Sequence, residues 1–314
     1  MQSEQTFKKI LVATDGSFPS ITAQELAAFV AKKFGSKVTV LHVMAHELMN
    51  PQMQKFFIER HQHVPYGASG GAPPPITEHV PPSSSTSLSK AVSDEITESY
   101  RQKGEEVIAD ATGFFKNEGI SVDRKIVEHA DPAEAVIREA DKGNYGIIVM
   151  GQSGEKEQEP HLGSMAEKVS NHATTSVLIS RQKNKISKIL VPVDGSENSE
   201  RALRNAVQLA KKSDAQITLL HVQDPGLSKV KPEITKEIGD FILSKAAEQA
   251  KGTKLEQKIE SGDPAKTITQ IAKEGNYDII IIGDRGHGII RRSQLGSVTN
   301  HVIHYADRSV LIIK

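Results

Sequence analysis

The chain of 314 residues contains no cysteine and no tryptophan, and aromatic residues make up only 4% of it. The missing cysteine excludes disulfide bonds, thiolate catalysis and cysteine-based metal sites. Basic and acidic residues number 39 each, and this zero net charge argues against a dedicated binder of nucleic acid or membrane surfaces. Apolar runs such as residues 279–282 are far too short to span a bilayer, and the N-terminus lacks the apolar core of a signal peptide. We therefore expect a cytoplasmic protein.

What the chain does contain is an internal repeat. Residues 9–17 read KILVATDGS and residues 188–196 read KILVPVDGS, and the sequence SVLI closes each copy. Each copy is long enough to be a domain of its own. We predict two tandem domains, at residues 1–183 and 184–314.

Each copy alternates short β-branched runs with amphipathic helical patterns, which indicates a parallel sheet joined by helical crossovers. Right-handed crossovers predict a doubly wound α/β domain of the Rossmann-like or flavodoxin-like kind, with five strands in the order 3-2-1-4-5 and helices on both faces. The pairs Asp131-Pro132 and Asp263-Pro264 are typical of a helix N-cap followed by proline. Because an unpaired last strand leaves an open edge, we expect the two final strands to pair as an internal pseudo-dimer.

The first copy carries an insertion at about residues 44–90. Its stretch 67–87 is rich in proline, glycine and serine and cannot bury enough apolar surface to fold, so we expect a linker there. Residues 50–63 are compatible with a short helix docked on its own domain or, alternatively, with an arm that binds another protein. The pair His61 and His63 is a weak metal signal.

The strongest chemical signal follows the fourth strand of the second copy, with Gly-Asp-Arg-Gly at 283–286 and, nine residues later, Gly-Ser at 296–297. Glycines let the backbone approach an anion, and the free N–H groups of a helix start point at it. Arg285, together with Arg291 and Arg292, supplies positive charge. Ligands of doubly wound sheets lie where the strand order reverses, so this loop and Asp194 at the end of the first strand should meet in one pocket.

Other readings of these residues stay open. Ser297 could be only a helix cap, and residues 194–196 could be only a turn. Neither a P-loop nor a dinucleotide fingerprint is present, and no nucleophile, base and orienting group can be assembled for catalysis. We interpret His287 as a spectator or phosphate contact, and His42 and His221 as structural.

With these motifs the chain resembles the universal stress proteins over nearly its whole length, the insertion excepted. The nucleotide-binding branch of that family carries G-x2-G-x9-G-[ST], and the second copy matches it position for position. The resemblance implies ATP or AMP as ligand, adenine beside Val193 and Val222, and ribose or a bound Mg²⁺ near Asp194. It implies a stress-response sensor or regulatory module with these nucleotide-binding residues: Pro192, Val193, Asp194, Val222, Gly283, Arg285, Gly286, Gly296, Ser297 and Val298.

The first copy departs from this pattern. Only eight residues separate Gly154 from Gly163, and Ser153 stands in place of the arginine. Residues 151–164 sum to a charge of −2 and residues 283–297 to +2. A capping box at Ser164 would also occupy that hydroxyl. We therefore predict a weaker, degenerate site in this copy, formed by Thr14, Asp15, Val43, Gly151, Gly154, Gly163 and Ser164.

Two further functions remain as alternatives. One is an enzyme that slowly hydrolyses ATP or transfers phosphate at the same site, and the other is a nucleotide-free scaffold whose insertion binds a protein. The sequence does not identify a partner protein, and it leaves a homodimer of whole chains open.

Overall fold

The computed structural model describes residues 6–45, 82–153, 162–181, 185–286 and 295–314. In the first half the elements are β1 (Lys9–Ala13), α1 (Phe18–Phe34), β2 (Lys37–Ala45), α2 (Pro82–Asn117), β3 (Val122–Ala130), α3 (Pro132–Gly143), β4 (Ile147–Gly151), α4 (Ser164–His172) and β5 (Ser176–Ser180). In the second half they are β6 (Lys188–Pro192), α5 (Glu197–Ser213), β7 (Gln216–Gln223), α6 (Pro225–Val230), α7 (Pro232–Gln249), β8 (Lys254–Ser261), α8 (Pro264–Glu274), β9 (Ile279–Gly283), α9 (Ser297–Tyr305) and β10 (Ser309–Ile313).

All ten strands belong to one sheet with the order β3-β2-β1-β4-β5-β10-β9-β6-β7-β8. Within each half the strands are parallel and follow the predicted order 3-2-1-4-5. The two halves meet where β5 and β10 pair antiparallel, with Leu178 opposite Leu311. The predicted fold class and the predicted pairing of the final strands are confirmed. The predicted division between residues 183 and 184 falls between β5 and β6.

The sheet is covered on both faces, which explains why its central strands are continuously apolar. Successive residues of β6 point to opposite faces: Ile189 and Val191 lie in one buried cluster with side chains of α1, α2, α5 and α7, while Leu190 lies in the other with side chains of α3, α4, α8 and α9. All five residues of β9 are buried. None of the helices that the structure describes is both long and apolar enough to span a membrane.

Two helices begin as the Asp-Pro pairs predicted. The Asp131 carboxylate accepts a hydrogen bond from the Glu134 N–H at 2.9 Å, and the Asp263 carboxylate accepts one from the Lys266 N–H at 2.9 Å. The proline that follows each aspartate has no N–H, and no hydrogen bond is lost there because the first N–H groups of a helix lack intrahelical acceptors. Because α3 follows β3 and α8 follows β8, both helices start at the carboxyl-terminal edge of the sheet.

The insertion differs in part from expectation. The expected linker at 67–87 is wrong for its last residues, because α2 begins at Pro82. Ile108 and Phe115, near the other end of α2, are fully buried in the core. A helix propagates easily once such a nucleus has formed, which accounts for its extension into the serine-rich stretch. The remainder of the insertion, residues 46–81, lies outside the described residues.

Candidate functional site

A cavity of about 230 Å³ opens at the carboxyl ends of β6 and β9. It is lined by all ten of the residues predicted for the main site: Pro192, Val193, Asp194, Val222, Gly283, Arg285, Gly286, Gly296, Ser297 and Val298. Five further lining residues escaped the sequence reading, namely Ser199, Leu220, Pro264, Ile268 and Thr299. Two of these could have been found from the sequence: Ser199 lies in the first turn of the helix after the Asp-Gly-Ser motif, and Pro264 follows the Asp263 cap.

The start of α9 forms one wall of this cavity. Gly296 is the N-cap and no side chain caps the helix, so Ser297 is not the cap residue. Two hydrogen bonds hold this helix start on the end of β9, one from the Gly296 N–H to the Asp284 carbonyl at 2.8 Å and one from the Thr299 hydroxyl to the Gly283 carbonyl at 2.8 Å. The first N–H groups of the helix lack intrahelical acceptors and therefore suit an anion.

The Asp194 turn forms the facing wall. One carboxylate oxygen, Oδ1, accepts hydrogen bonds from the Ser196 backbone N–H at 2.9 Å and from the Ser196 hydroxyl at 2.6 Å. The other, Oδ2, lies 2.6 Å from the place that a Cβ atom on Gly286 would occupy. Any side chain at Gly286 would therefore collide with the carboxylate. Asp194 both builds a turn and faces the glycine loop, the segment from Gly283 to Gly296.

Arg285 reaches the cavity from a fixed position. Its Nε and Nη2 atoms donate to Oδ2 of Asp284, at 3.0 Å and 2.7 Å. Asp284 is only 3% exposed, and its Oδ1 has no hydrogen-bond partner among the described residues. The sequence reading counted Asp284 only as a charge, because nothing in the order of residues shows which groups a carboxylate meets.

The first half contains a corresponding cavity of about 340 Å³. Of the residues predicted for the weaker site, those that line it are Thr14, Asp15, Val43, Gly151, Gly163 and Ser164, whereas Gly154 lies outside the described residues. Ser153 takes the place that Arg285 has in the second half. A cavity is therefore present at the same place in both halves, and the two differ in volume and in the side chain at the position of Arg285.

The capping box predicted at Ser164 is wrong. Helix α4 has Gly163 as its N-cap, with the Glu167 N–H bonded to the Gly163 carbonyl at 2.9 Å, and no side chain caps it. Ser164 is thus the first helical residue, one position too late to act as the cap. Its hydroxyl is not used for capping, and neither is that of Ser297.

His42 and His221 have the structural role predicted for them. The Nδ1 atom of His42 lies 2.8 Å from the Thr14 carbonyl, and that of His221 lies 2.9 Å from the Val193 carbonyl. Each ring thereby links the second strand of its half to the residues that follow the first strand. The other loop and insertion side chains considered in the sequence, His61, His63, His287, Arg291 and Arg292, lie outside the described residues.

Within the described ranges no three histidine, aspartate or glutamate side chains are grouped so that they could hold a metal ion. Among the described residues that line the cavity, Asp194 is the one carboxylate. Since Mg²⁺ usually takes one or two protein carboxylates together with phosphate oxygens and water, this donor set fits a nucleotide-bound Mg²⁺ better than a metal held by protein alone.

Comparison with known proteins identifies the family of this chain. The sequence profile of the universal stress protein family matches residues 6–69, 68–181 and 185–314. Universal stress protein Slr1230 of Synechocystis is 26% identical over 314 residues, spanning 98% of this chain and 100% of the relative. Universal stress protein MJ0531 of Methanocaldococcus jannaschii is 32% identical over 148 residues, spanning 44% of this chain and 87% of the relative.

Among solved structures, a universal stress protein from Archaeoglobus fulgidus shares the fold over 100% of this chain and 98% of its own, with a TM-score of 0.66 and 23% identity. The tandem arrangement of the two halves is therefore shared along the full length of the molecule. Because the family profile covers nearly the entire sequence, the chain belongs to the universal stress protein family.

Proposed function

We propose that this protein binds an adenine nucleotide, ATP or AMP, in the cavity of the second half and acts as a stress-response sensor or regulatory module. One observation carries the proposal: the glycine loop, the start of α9 and the Asp194 turn converge on a single cavity lined by every residue predicted for the nucleotide. The polar groups of that cavity suit ribose and phosphate, while Leu220, Val222 and Ile268 offer an apolar wall to adenine.

The proposal places the nucleotide in the second half although the first cavity is larger. Volume does not set affinity for a charged ligand, which depends on the donors and charges that it meets. One unit charge about 6 Å from another contributes roughly 3 kcal/mol at an effective dielectric constant near 20. Residues 283–297 sum to +2 and residues 151–164 to −2, so the phosphates favour the second half.

In the bound state the phosphates would lie against the start of α9, where Ser297 adds its hydroxyl and Arg285 its charge. Asp194 would accept from the ribose hydroxyls or join the phosphate oxygens around Mg²⁺. Ligand binding would then stabilise Gly283, Gly286 and the start of α9 and alter the surface beside them. A surface that depends on the nucleotide is what a sensor needs in order to signal to a partner protein.

The first test is the stoichiometry of nucleotide binding. Calorimetry on the full chain should give one ATP or AMP per chain, and mass spectrometry of ligand released from freshly purified protein should identify the nucleotide. Release of ADP over time would point to the hydrolase alternative. Two equivalent sites per chain would contradict the asymmetric assignment, and no bound nucleotide would favour the scaffold alternative.

Matched variants of the two halves locate the site. Gly296→Val should abolish binding, because the added side chain intrudes on the helix start, where a Cβ atom on residue 296 would lie only 3.2 Å from the Arg285 Cα. Gly163→Val is its counterpart and should leave binding largely intact. Ser297→Ala and Ser164→Ala form a gentler pair, since neither hydroxyl caps its helix. A greater loss from the change in the first half would show that the site lies there.

A further inference from the structure

The pairing of Asp284 with Arg285 is the clearest chemical difference between the two cavities. The corresponding residues of the first half are Gln152 and Ser153, which cannot form an ion pair. The Arg285 side chain is 28% exposed and that of Asp284 only 5%. A buried carboxylate beside a partly exposed guanidinium means that Asp284 is the fixed partner and Arg285 the group offered to solvent.

The geometry of the pair leaves part of the guanidinium available. Nε and Nη2 of Arg285 both donate to the single oxygen Oδ2 of Asp284. The remaining N–H groups belong to the other edge of the planar fork, and Arg285 is one of the side chains that line the cavity. A guanidinium held along one edge can offer the other edge to a phosphate in a bidentate manner.

Asp284 is in turn held by the backbone of the sheet and the helix start. Its N–H donates to the Ile313 carbonyl at 2.9 Å, and its carbonyl accepts from the Gly296 N–H at 2.8 Å. It is also close to the Lys314 side chain: burial lowers the pKa of Lys314 to about 8, and the Asp284 carboxylate acts against that shift. Arg285 is therefore bonded to a carboxylate whose own backbone N–H and carbonyl are both hydrogen-bonded.

We propose that Asp284 is a positioning residue for phosphate binding, which holds the Arg285 guanidinium in the orientation that meets the phosphates of the nucleotide. This inference rests on the nucleotide function proposed above. Without Asp284, Arg285 would sample many rotamers, and ordering it on binding would reduce affinity. The effect is confined to ligands with phosphate, because the apolar wall and the Asp194 turn do not involve Arg285.

The experiment compares ATP with adenosine. Calorimetry on the wild-type full chain should show tighter binding of ATP than of adenosine, and Asp284→Ala should lower ATP affinity by about tenfold while adenosine affinity changes less than about twofold. Asp284→Asn keeps the shape of the side chain but loses its charge, and it should also reduce the difference between the ATP and adenosine affinities. Gln152→Ala, at the corresponding place in the first half, is the control and should change neither affinity.

The outcomes separate this inference from the proposed function. If the wild type binds ATP and Asp284→Ala shows the same difference in affinity between ATP and adenosine, the positioning role of Asp284 is wrong. The proposed nucleotide binding is then unaffected. The inference also fails if both ligands weaken equally, which indicates a general structural role, or if ATP binds more tightly, which indicates simple repulsion by the carboxylate. A wild type that binds no nucleotide overturns both proposals.

A measurement without ligand tests the orientation directly. The Nε–H signal of Arg285 in a ¹⁵N NMR spectrum, assigned by its loss in Arg285→Lys, should exchange slowly with water in the free wild type. It should exchange rapidly in Asp284→Ala, because the acceptor is gone. Equal exchange in both proteins would show that Asp284 does not hold the guanidinium, and circular dichroism would confirm that the variant is folded.

Discussion

Asp15 and Asp194 build the same turn in the two halves. Each carboxylate accepts hydrogen bonds from the backbone N–H and the hydroxyl of the serine two residues later, Ser17 in one half and Ser196 in the other. Alanine at either position removes the same local hydrogen bonds and should cost a similar free energy of unfolding. We expect the two residues to differ chiefly in their contribution to ligand binding.

We expect Asp194→Ala to weaken ATP binding by about tenfold or more, since a hydrogen bond to a charged group contributes roughly 1.5–3 kcal/mol. Asp15→Ala should leave that affinity nearly unchanged, with both variants lowering the melting temperature to a similar extent. Titration calorimetry with and without Mg²⁺ measures the effect. Equal losses of affinity in the two variants would place Asp194 outside the ligand contacts.

At the scale of secondary structure elements, the starts of α3 and α8 bring both helices to the cavities. Asp131 and Asp263 cap these helices, and the next residues, Pro132 and Pro264, line the first and second cavity. The Asp131 carboxylate has an additional partner in Lys168, whose ammonium donates to it at 3.2 Å. Local capping chemistry and the shape of the cavities are thus linked.

We expect Asp263→Ala to lower the free energy of unfolding by about 1 kcal/mol, because the Lys266 N–H loses its acceptor at the start of α8. Asp131→Ala should cost slightly more, by the small contribution of an exposed ion pair. Gln270→Ala, an exposed change further along α8, is the control and should shift the urea midpoint very little. A Gln270→Ala effect as large as that of Asp263→Ala would show that the cap is not the cause.

At the scale of the whole molecule, the two halves are joined by reciprocal contacts as well as by the β5–β10 pair. Arg181 follows β5 and donates from its guanidinium to the Ile303 carbonyl near the end of α9. Lys314 follows β10 and donates from its ammonium to the Ser170 carbonyl near the end of α4, at 2.7 Å. A cation is favourable at a helix C-terminus, so each half caps a helix of the other.

We expect Arg181→Met to lower the free energy of unfolding by about 1–3 kcal/mol, because buried carbonyl groups lose a charged donor.

The effect of Lys314→Met on stability should depend on pH. The pKa of Lys314 is lowered by burial to about 8 from an ordinary 10.5, so between these values the unfolded chain binds more protons than the native one, and stability rises with pH. The wild type should gain urea resistance relative to Lys314→Met between pH 7 and 9.5. If the difference in urea resistance between the wild type and Lys314→Met stays the same over this pH range, Lys314 is solvated.

Much of this molecule could be predicted from local sequence. The alternation of apolar runs and amphipathic stretches indicated the strands and helices because each pattern reflects a face that must be buried. Asp131 and Asp263 could be recognised as caps because a cap bonds within three residues of itself. The repeat aligned Asp194 with Asp15, and the strand order of a doubly wound sheet predicted that Asp194 and the glycine loop meet in one cavity.

Only the tertiary structure showed the contacts between side chains and backbone groups that lie far apart in the sequence. Arg181 meets Ile303, and Lys314 meets Ser170, only because two final strands pair antiparallel. Ser164 follows the cap rather than forming it, because the backbone enters α4 one residue earlier than the side-chain pattern suggested. Burial of Asp284 at the end of β9, beside a partly exposed Arg285, turned two opposite charges into an oriented ion pair, since packing determines which charges must find a partner.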